Sequence, residues 1–432
     1  MLKKRNALYG VLMGSMIVVS GCGGGDVETG EEENQAGTEG GDTTIQFWHI
    51  ETGAKEEVYL NAIERYENDN PGVTVEALRI PNDDYKQRMV VAMSGGNPPD
   101  VFHSWGGGWL GEFVNSDQVL NLSEEDVNTD RFLDLAMDNS TYEDEVYGLP
   151  LGLSLTMNFY NTKIFDELGL EEPETYEELK EVIEVLKESE YDPYALTNQT
   201  QWPGSYFYMY FADRLGGSDL FAEALEGEGS FADEDFIEAG AKIQELVEMG
   251  GFNEGFNGIP YDAGQGRQLM YSEQAAMMLM TTTFVNNVRD EFPEFEENLG
   301  AFTFPDVEEG EGNPTNLNGS VSPVLSVFEN TEHKEESIEL IEYLTSEETA
   351  QDFVEKTSSL SGLEGIVSDD PFVQQFNELV EEADFIQMPY DQTLPPSLAE
   401  THLNSVQEVF GLSITPEEAA ERMESEAEST RE

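Results

Sequence analysis

The stretch from Thr43 to Trp105 alternates strand-like and helix-like segments, and no other feature narrows the possible folds as far. "TTIQFW" reads as a strand. "AKEEVYLNAIERYEND" places Tyr59, Ile63 and Tyr66 on one helical face, and Pro71-Gly72 ends that helix. "VTVEALRI" alternates as a second strand, "DYKQRMVVAMSGG" forms a second helix stopped by Gly95-Gly96, and "PPDVFHSW" is a third strand opening into "GGGW". A β-α-β-α-β run is the signature of a sheet with crossover helices. Later, "SLTMNFYN" has the texture of a buried strand. Thr175 and Glu178 flank the next helix start as a capping box. Tyr176, Leu179, Ile183 and Leu186 carry that helix's apolar stripe. "EAGAKIQELVEMGGF" and "ESIELIEYLTSEETAQDFVEK" are amphipathic helices, and the chain is mostly helical from Lys334 onward. The class is α/β, with no repeat of fixed period.

The chain before Thr43 is of another kind. Lys3, Lys4 and Arg5 precede an uncharged apolar run from Ala7 to Val19, the layout of an export signal. That run is short of the roughly 20 apolar residues a membrane span needs. Val19-Ser20-Gly21-Cys22 follows, and Cys22 is the only cysteine. The stretch resembles a bacterial lipoprotein signal, with cleavage before Cys22 and a lipid (palmitate) on its sulfur. One cysteine cannot build a disulfide framework. Residues 22–42 are glycine-rich, acidic and polar, a composition that does not bury enough surface to fold and reads as a flexible tether. The expected division is therefore 1–21 signal peptide and 22–42 lipidated linker. A body of about 390 residues follows from Thr43, large enough for two lobes.

Ninety acidic residues face twenty basic ones, a formal net charge of −70. Nucleic acid, whose phosphates need Lys/Arg stripes, is excluded as a partner, and so is docking on anionic headgroups. Much of the acid lies on helix faces, where it is solvated; such a surface fits a salt-loving or alkaliphilic source.

No catalytic chemistry stands out. His49, His103, His333 and His402 have no zinc spacing, and no calcium loop appears, so no metal and no cofactor is expected. There is no G-x-S-x-G elbow, and "GGGW" lacks the features of a P-loop or dinucleotide fingerprint. Among ninety acids some pair will always lie at the roughly 5 to 9 Å used in glycoside hydrolysis, so that signal carries no information. The aromatics are more telling. Trp48, Trp105, Trp109 and Trp202 all read as strand-end or turn residues, outside amphipathic stripes. In open α/β sheets ligands bind at the carboxyl ends of strands. An indole face suits the apolar face of a pyranose, with nearby amides and carboxylates for its hydroxyls. One tryptophan alone reads equally well as core filler; the set favours a ligand groove.

At the level of whole segments the chain resembles the family-1, sugar-binding group of bacterial extracellular solute-binding proteins, the receptors of ABC importers. The matching stretches are "IQFWHIETG", "RYENDNPGVTVEA", "VVAMSGGNPPDVF", "VYGLPLGLSLTMNFYNTKIFDELGLEEPETYEEL", "RLGG", "SEQAAMML" and "HKEESIELIEYLTSEETAQ". Departures occur at Glu273, Gln274 and Tyr176, and Phe284 stands near a turn where the family often has tryptophan. The resemblance implies a two-lobed periplasmic-binding-protein fold of type II, its lobes joined by hinge strands. Lobe 1 would be 43–152 plus 304–328, and lobe 2 would be 153–303 plus 329–432, with crossings near Gly152–Ser154, Phe304–Val307 and Phe328–Thr331. It implies a monomer, held as a lipoprotein on the outer face of the cell membrane, that captures a sugar between its lobes and passes it to a permease. By the same resemblance the ligand contacts are Trp48, His49, Glu51, Asn82, Asp83, Trp105, Ser154, Trp202, Tyr206, Phe284, Asn286 and Asn318. Several aromatic platforms favour an oligosaccharide over a monosaccharide. Two other classes stay open: a lipid-anchored glycoside hydrolase, and a receptor of the same fold for another solute. An anionic solute would use the few cations on offer, Arg79, Lys86, Arg88 and Arg267.

Overall fold

A computed structural model describes residues 43–308 and 310–431. Cys22 and the segments 1–21 and 22–42 lie outside the described residues. The first expectation is met closely. Strand β1 (Thr43–His49), helix α1 (Gly53–Asp69), β2 (Val73–Arg79), α2 (Asn82–Gly95), β3 (Val101–Ser104) and α3 (Gly107–Asn115) follow one another in order. β1 pairs in parallel with β2, from Thr43 opposite Val73 to His49 opposite Arg79, and with β3 on its other side. In β1 the side chains of Ile45, Phe47 and His49 are buried while Thr44 and Gln46 are exposed, the two-residue period of a strand. Val58, Tyr59, Ala62, Ile63 and Tyr66 form the buried stripe of α1. Gly96 closes α2 in the left-handed conformation at φ 68°, which glycine adopts without steric cost. Strands Val324–Val327 and Leu149–Pro150 extend this first sheet on the β3 side.

The second sheet is built around Gly152–Asn161, a strand buried along nearly its whole length. Its first half pairs with Leu317–Val321 and Leu360–Ser361, its second half with Ala275–Thr281 and Leu299–Phe302. Leu153, Leu155, Met157 and Phe159 enter one core with Phe284, Val285, Val288 and Phe376. The opposite core is helical and includes Leu179, Ile183, Phe207, Phe211, Ile243, Val406 and Ala419. The capping box forms as expected, with Glu178 N–H donating to Thr175 Oγ1 and the Glu178 carboxylate accepting from Thr175 N–H.

The lobe boundaries differ from the expected ones. Residues Leu317–Val321 belong to the second sheet, and Phe304 packs in the second lobe's core. Helices Lys334–Leu344 and Glu347–Thr357 belong to the first lobe: Leu340, Ile341, Leu344 and Phe353 share a core with Ile45, Phe47, Tyr59 and Ile63. The chain passes between sheets at Leu151, at Ser322-Pro323 and near Ser358-Ser359. The first lies within a residue of the expected Gly152–Ser154 hinge. No sheet change occurs at Phe304–Val307 or Phe328–Thr331. An amphipathic helix announces that it has a face to bury, but not which sheet will cover it.

Candidate ligand-binding cleft

Because β1, β2 and β3 run parallel, their carboxyl ends share one edge of the first sheet. The loops leaving that edge carry Ile50, Glu51 and Thr52 after β1, Asn82 and Asp83 after β2, and Trp105 after β3. All six line a cavity of about 680 Å³ whose opposite wall is the second lobe. That volume falls in the ordinary range for small-molecule sites. The second lobe contributes Ser154 from its central strand, Trp202 and Tyr206 from helix Trp202–Gly216, Tyr261 from a short turn, and Ser320 and Ser322 from a crossing segment. Helix Thr283–Glu291 presents Thr283, Asn287 and Glu291, four residues apart and therefore on one face.

Of the twelve expected contacts, the cavity wall gathers Glu51, Asn82, Asp83, Trp105, Ser154, Trp202 and Tyr206. Five are elsewhere. His49 is buried in the core, 5.2 Å from the Phe47 ring and 5.6 Å from Tyr59. Burial, helped by the Arg79 charge, lowers its pKa to about 4 and keeps it neutral. Trp48, one position off in parity, packs beside the cluster of Tyr85, Met89 and Trp109. Phe284 is fully buried against Phe159, because it lies on the apolar side of the helix whose polar side meets the cavity. Asn286 and Asn318 are buried too; the Asn318 backbone N–H donates to the Tyr210 hydroxyl oxygen, and its side-chain Nδ2 donates to the Tyr206 carbonyl. Trp109, expected in a loop, is on the buried face of α3.

The aromatic walls are rigidly held. Trp105 is only 6 % exposed. Tyr85, His103 and Trp109 meet it edge-to-face at 5.7, 4.9 and 5.5 Å. Across the cavity Trp202 meets Tyr261 at 4.7 Å and Tyr206 at 5.7 Å, both near-perpendicular. Tyr261 escaped the sequence reading, although "GIPYDAG" marks a turn beside a helix start. Gln201, which precedes Trp202 and also lines the cavity, holds the unusual pair φ 70°, ψ −44°, a strained setting of the kind that gathers at functional sites.

The cavity's charges largely cancel. Arg267 forks onto Glu291 at 2.7 to 3.1 Å, and Lys86 bridges to Asp391 of the second lobe at 2.8 Å while lying 5.2 Å from the Trp105 ring centre. Of the four cations in the wall, Lys86 and Arg267 are paired with carboxylates and Lys55 donates to Thr283, whereas Arg79 makes no ion pair among the described residues; Arg88 is not in the wall. Glu51 is buried, and desolvation raises its pKa against the pull of Lys55. His103 lies 3.8 Å from Glu51, but burial keeps its imidazole neutral, so the contact is no ion pair. At the rim Asp83 and Asp262 meet from opposite lobes, each carboxylate accepting the other's backbone N–H at 3.1 and 3.4 Å. Burial first, and the Asp262 charge second, push Asp83 up to about 6. Among the described residues no group of three or more His, Cys, Asp or Glu is placed to hold a metal.

The model of the family described as bacterial extracellular solute-binding protein matches residues 51–351. The chain belongs to that family. As a solute-binding protein it is similar to the multiple sugar-binding protein of Streptococcus mutans serotype c, 21 % identical over 384 residues that cover 85 % of this chain and 84 % of that one. A solved structure from work on xylan utilization by the thermophilic bacterium Caldanaerobius polysaccharolyticus superimposes with a TM-score of 0.84 at 29 % identity, covering 89 % of this chain and 99 % of that one. A chitin oligosaccharide binding protein shares the fold with a TM-score of 0.82 at 20 % identity, covering 90 % and 99 %.

Proposed function

We propose that this solute-binding protein captures a neutral oligosaccharide between its lobes and delivers it to the permease of an ABC importer. The carrying observation is the facing of Trp105 by Trp202 and Tyr261 across a cavity whose remaining wall is mostly polar, with Ser, Thr, Asn and Gln groups interspersed among carboxylates and cations. Rings take the apolar faces of sugars, and the hydroxyl and amide groups exchange hydrogen bonds with sugar oxygens. Glu51, Asn82, Asp83 and Ser154 supply polar contacts to the ligand in this reading. Lys86 and Arg267 are already paired with carboxylates, and the five carboxylates of the wall outnumber its four cations, which speaks against an anionic solute. The names of relatives, multiple sugar-binding among them, favour a sugar.

In the same reading the protein is a monomer that breaks no bonds. It works outside the cytoplasm, tethered through a lipid on Cys22. A titration monitored by tryptophan fluorescence, with xylo-, gluco-, malto- and raffinose-type sugars, is expected to saturate for at least one class without releasing new reducing ends. Turnover of the sugar would place the protein among hydrolases, and no response from any sugar would reject the reading.

The rim carboxylates add a pH dependence. Closure brings Asp83 to Asp262, so Asp83 has a higher pKa in the closed form than when the lobes part. Closure therefore takes up a proton: it is favoured below about pH 6 and opposed as the pH rises through that value. Because Asp83 sits at the rim, only partly desolvated and still in contact with solvent, screening reduces the effect. The expected loss of affinity from pH 5 to pH 8 is about three- to tenfold, and Asp83→Asn should flatten the profile. A profile equally steep in the variant would assign the dependence to another group.

A further inference from the structure

Helix α1 starts at the cavity wall with unsatisfied N–H groups and a partial positive charge. Its own N-cap residue, Thr52, makes no side-chain cap. The acceptor comes instead from the other lobe: Ala54 N–H donates to Asp290 Oδ2 at 3.2 Å. Asp290 is in the last turn of helix Thr283–Glu291, the helix that lines the second lobe's side of the cavity, and Asn286 Nδ2 donates to the same oxygen at 3.5 Å. Gly53 stands between them at φ 57°, and a Cβ there would fall on the Asp290 carboxylate. One residue beyond Ala54, the buried Lys55 donates to Thr283 Oγ1, at the start of the same second-lobe helix, at 3.3 Å.

We infer that Asp290 is a positioning residue for ligand capture, an N-cap supplied across the lobe boundary. It touches no ligand. Its contact with α1 exists only when the lobes are together, so whatever the cap contributes is differential stabilisation of the closed form, and that adds directly to ligand affinity. Glycine at position 53 follows from the same contact: only a residue without Cβ lets the opposing carboxylate reach the helix end in this backbone conformation. The inference rests on the reading that ligand is captured by lobe closure.

The test compares wild type, Asp290→Ala, Asp290→Asn and Gly53→Ala. Two quantities are read: affinity for the tightest-binding oligosaccharide of the panel, and radius of gyration without sugar by small-angle scattering. Asp290→Ala is expected to weaken binding about five- to tenfold. Asp290→Asn, which keeps the acceptor oxygen, should recover more than half of that, and Gly53→Ala should lose at least as much as Asp290→Ala. Thermal unfolding of unliganded Asp290→Ala should stay near wild type, which separates a closure role from a merely structural one. Affinity within twofold of wild type in Asp290→Ala overturns the inference. If wild type binds no sugar, the capture reading falls and scattering alone decides: a more expanded Asp290→Ala supports the trans-lobe cap, and superimposable curves overturn it.

Discussion

Trp202→Ala is expected to weaken oligosaccharide binding by about 2 to 3 kcal/mol, roughly 30- to 150-fold, with the fold still cooperative. The estimate follows from what the ring does. It stands at the mouth of the second lobe, half-buried, braced edge-on by Tyr206 and Tyr261, so its orientation costs little to hold when a sugar arrives. Removing it also loosens Tyr261, which keeps the Arg267 guanidinium 5.1 Å from its ring centre and the hydrogen bond from its hydroxyl to Asn287 Oδ1 at 3.3 Å. Trp105→Ala should be comparable for binding but harsher for stability, because Tyr85, His103 and Trp109 all lean on that ring. Calorimetric titration of both variants checks the expectation, and unchanged affinity in both would put the ligand elsewhere.

Arg214→Ala is expected to be the most destabilising single change, by about 3 to 5 kcal/mol, since it strips a buried ion pair of one partner. Arg214 is fully buried and bridges to Asp213 at 2.5 Å. Its Nη2 donates to the carbonyls of Phe304, Pro314 and Asn316 at 3.3, 3.2 and 2.9 Å, and Nη1 reaches Asn313 at 3.3 Å. These bonds tie the segment leading from Leu299–Phe302 to Leu317–Val321 onto helix Trp202–Gly216. Gly310 and Gly312 let that segment approach, since a Cβ at either would strike the carbonyl oxygen of Arg214 or Asp213. Glu311 and Gly312 N–H groups then donate to the carbonyls of Leu215 and Arg214 at the helix end. The "RLGG" stretch is thus a structural anchor rather than a ligand motif. Chemical denaturation should show a large fall in midpoint, whereas a shift under 1 kcal/mol would mean that the buried pair is solvated in solution.

Both lobes and most of their elements were legible because the sequence shows local causes. The strand period, the helical stripes, the Pro71-Gly72 stop and the Thr175–Glu178 box each act within a few residues. The lobe assignment of 304–328 and 334–357 was not legible, because it depends on which sheet a distant segment meets. Part of the site's layout is nevertheless written in local pattern. His49 shares strand parity with Ile45 and Phe47, so its burial was written in the period-two pattern. Likewise the apolar positions Phe284, Val285 and Val288 fix the core side of their helix and turn Thr283, Asn287 and Glu291 to the other. Pairings such as Lys86–Asp391 and Asp83–Asp262 join residues about 300 and 180 positions apart, and no local signal announces them.

The most direct measurement is a crystal structure of the mature chain with the tightest-binding oligosaccharide. Sugar density is expected in the inter-lobe cavity, with one ring against Trp105 and another against Trp202 and Tyr261, and with hydroxyls reaching the carboxyl or amide groups of Glu51, Asn82 or Asp83. Sugar bound outside that cavity, or a cavity filled only by solvent at saturating ligand, would contradict it.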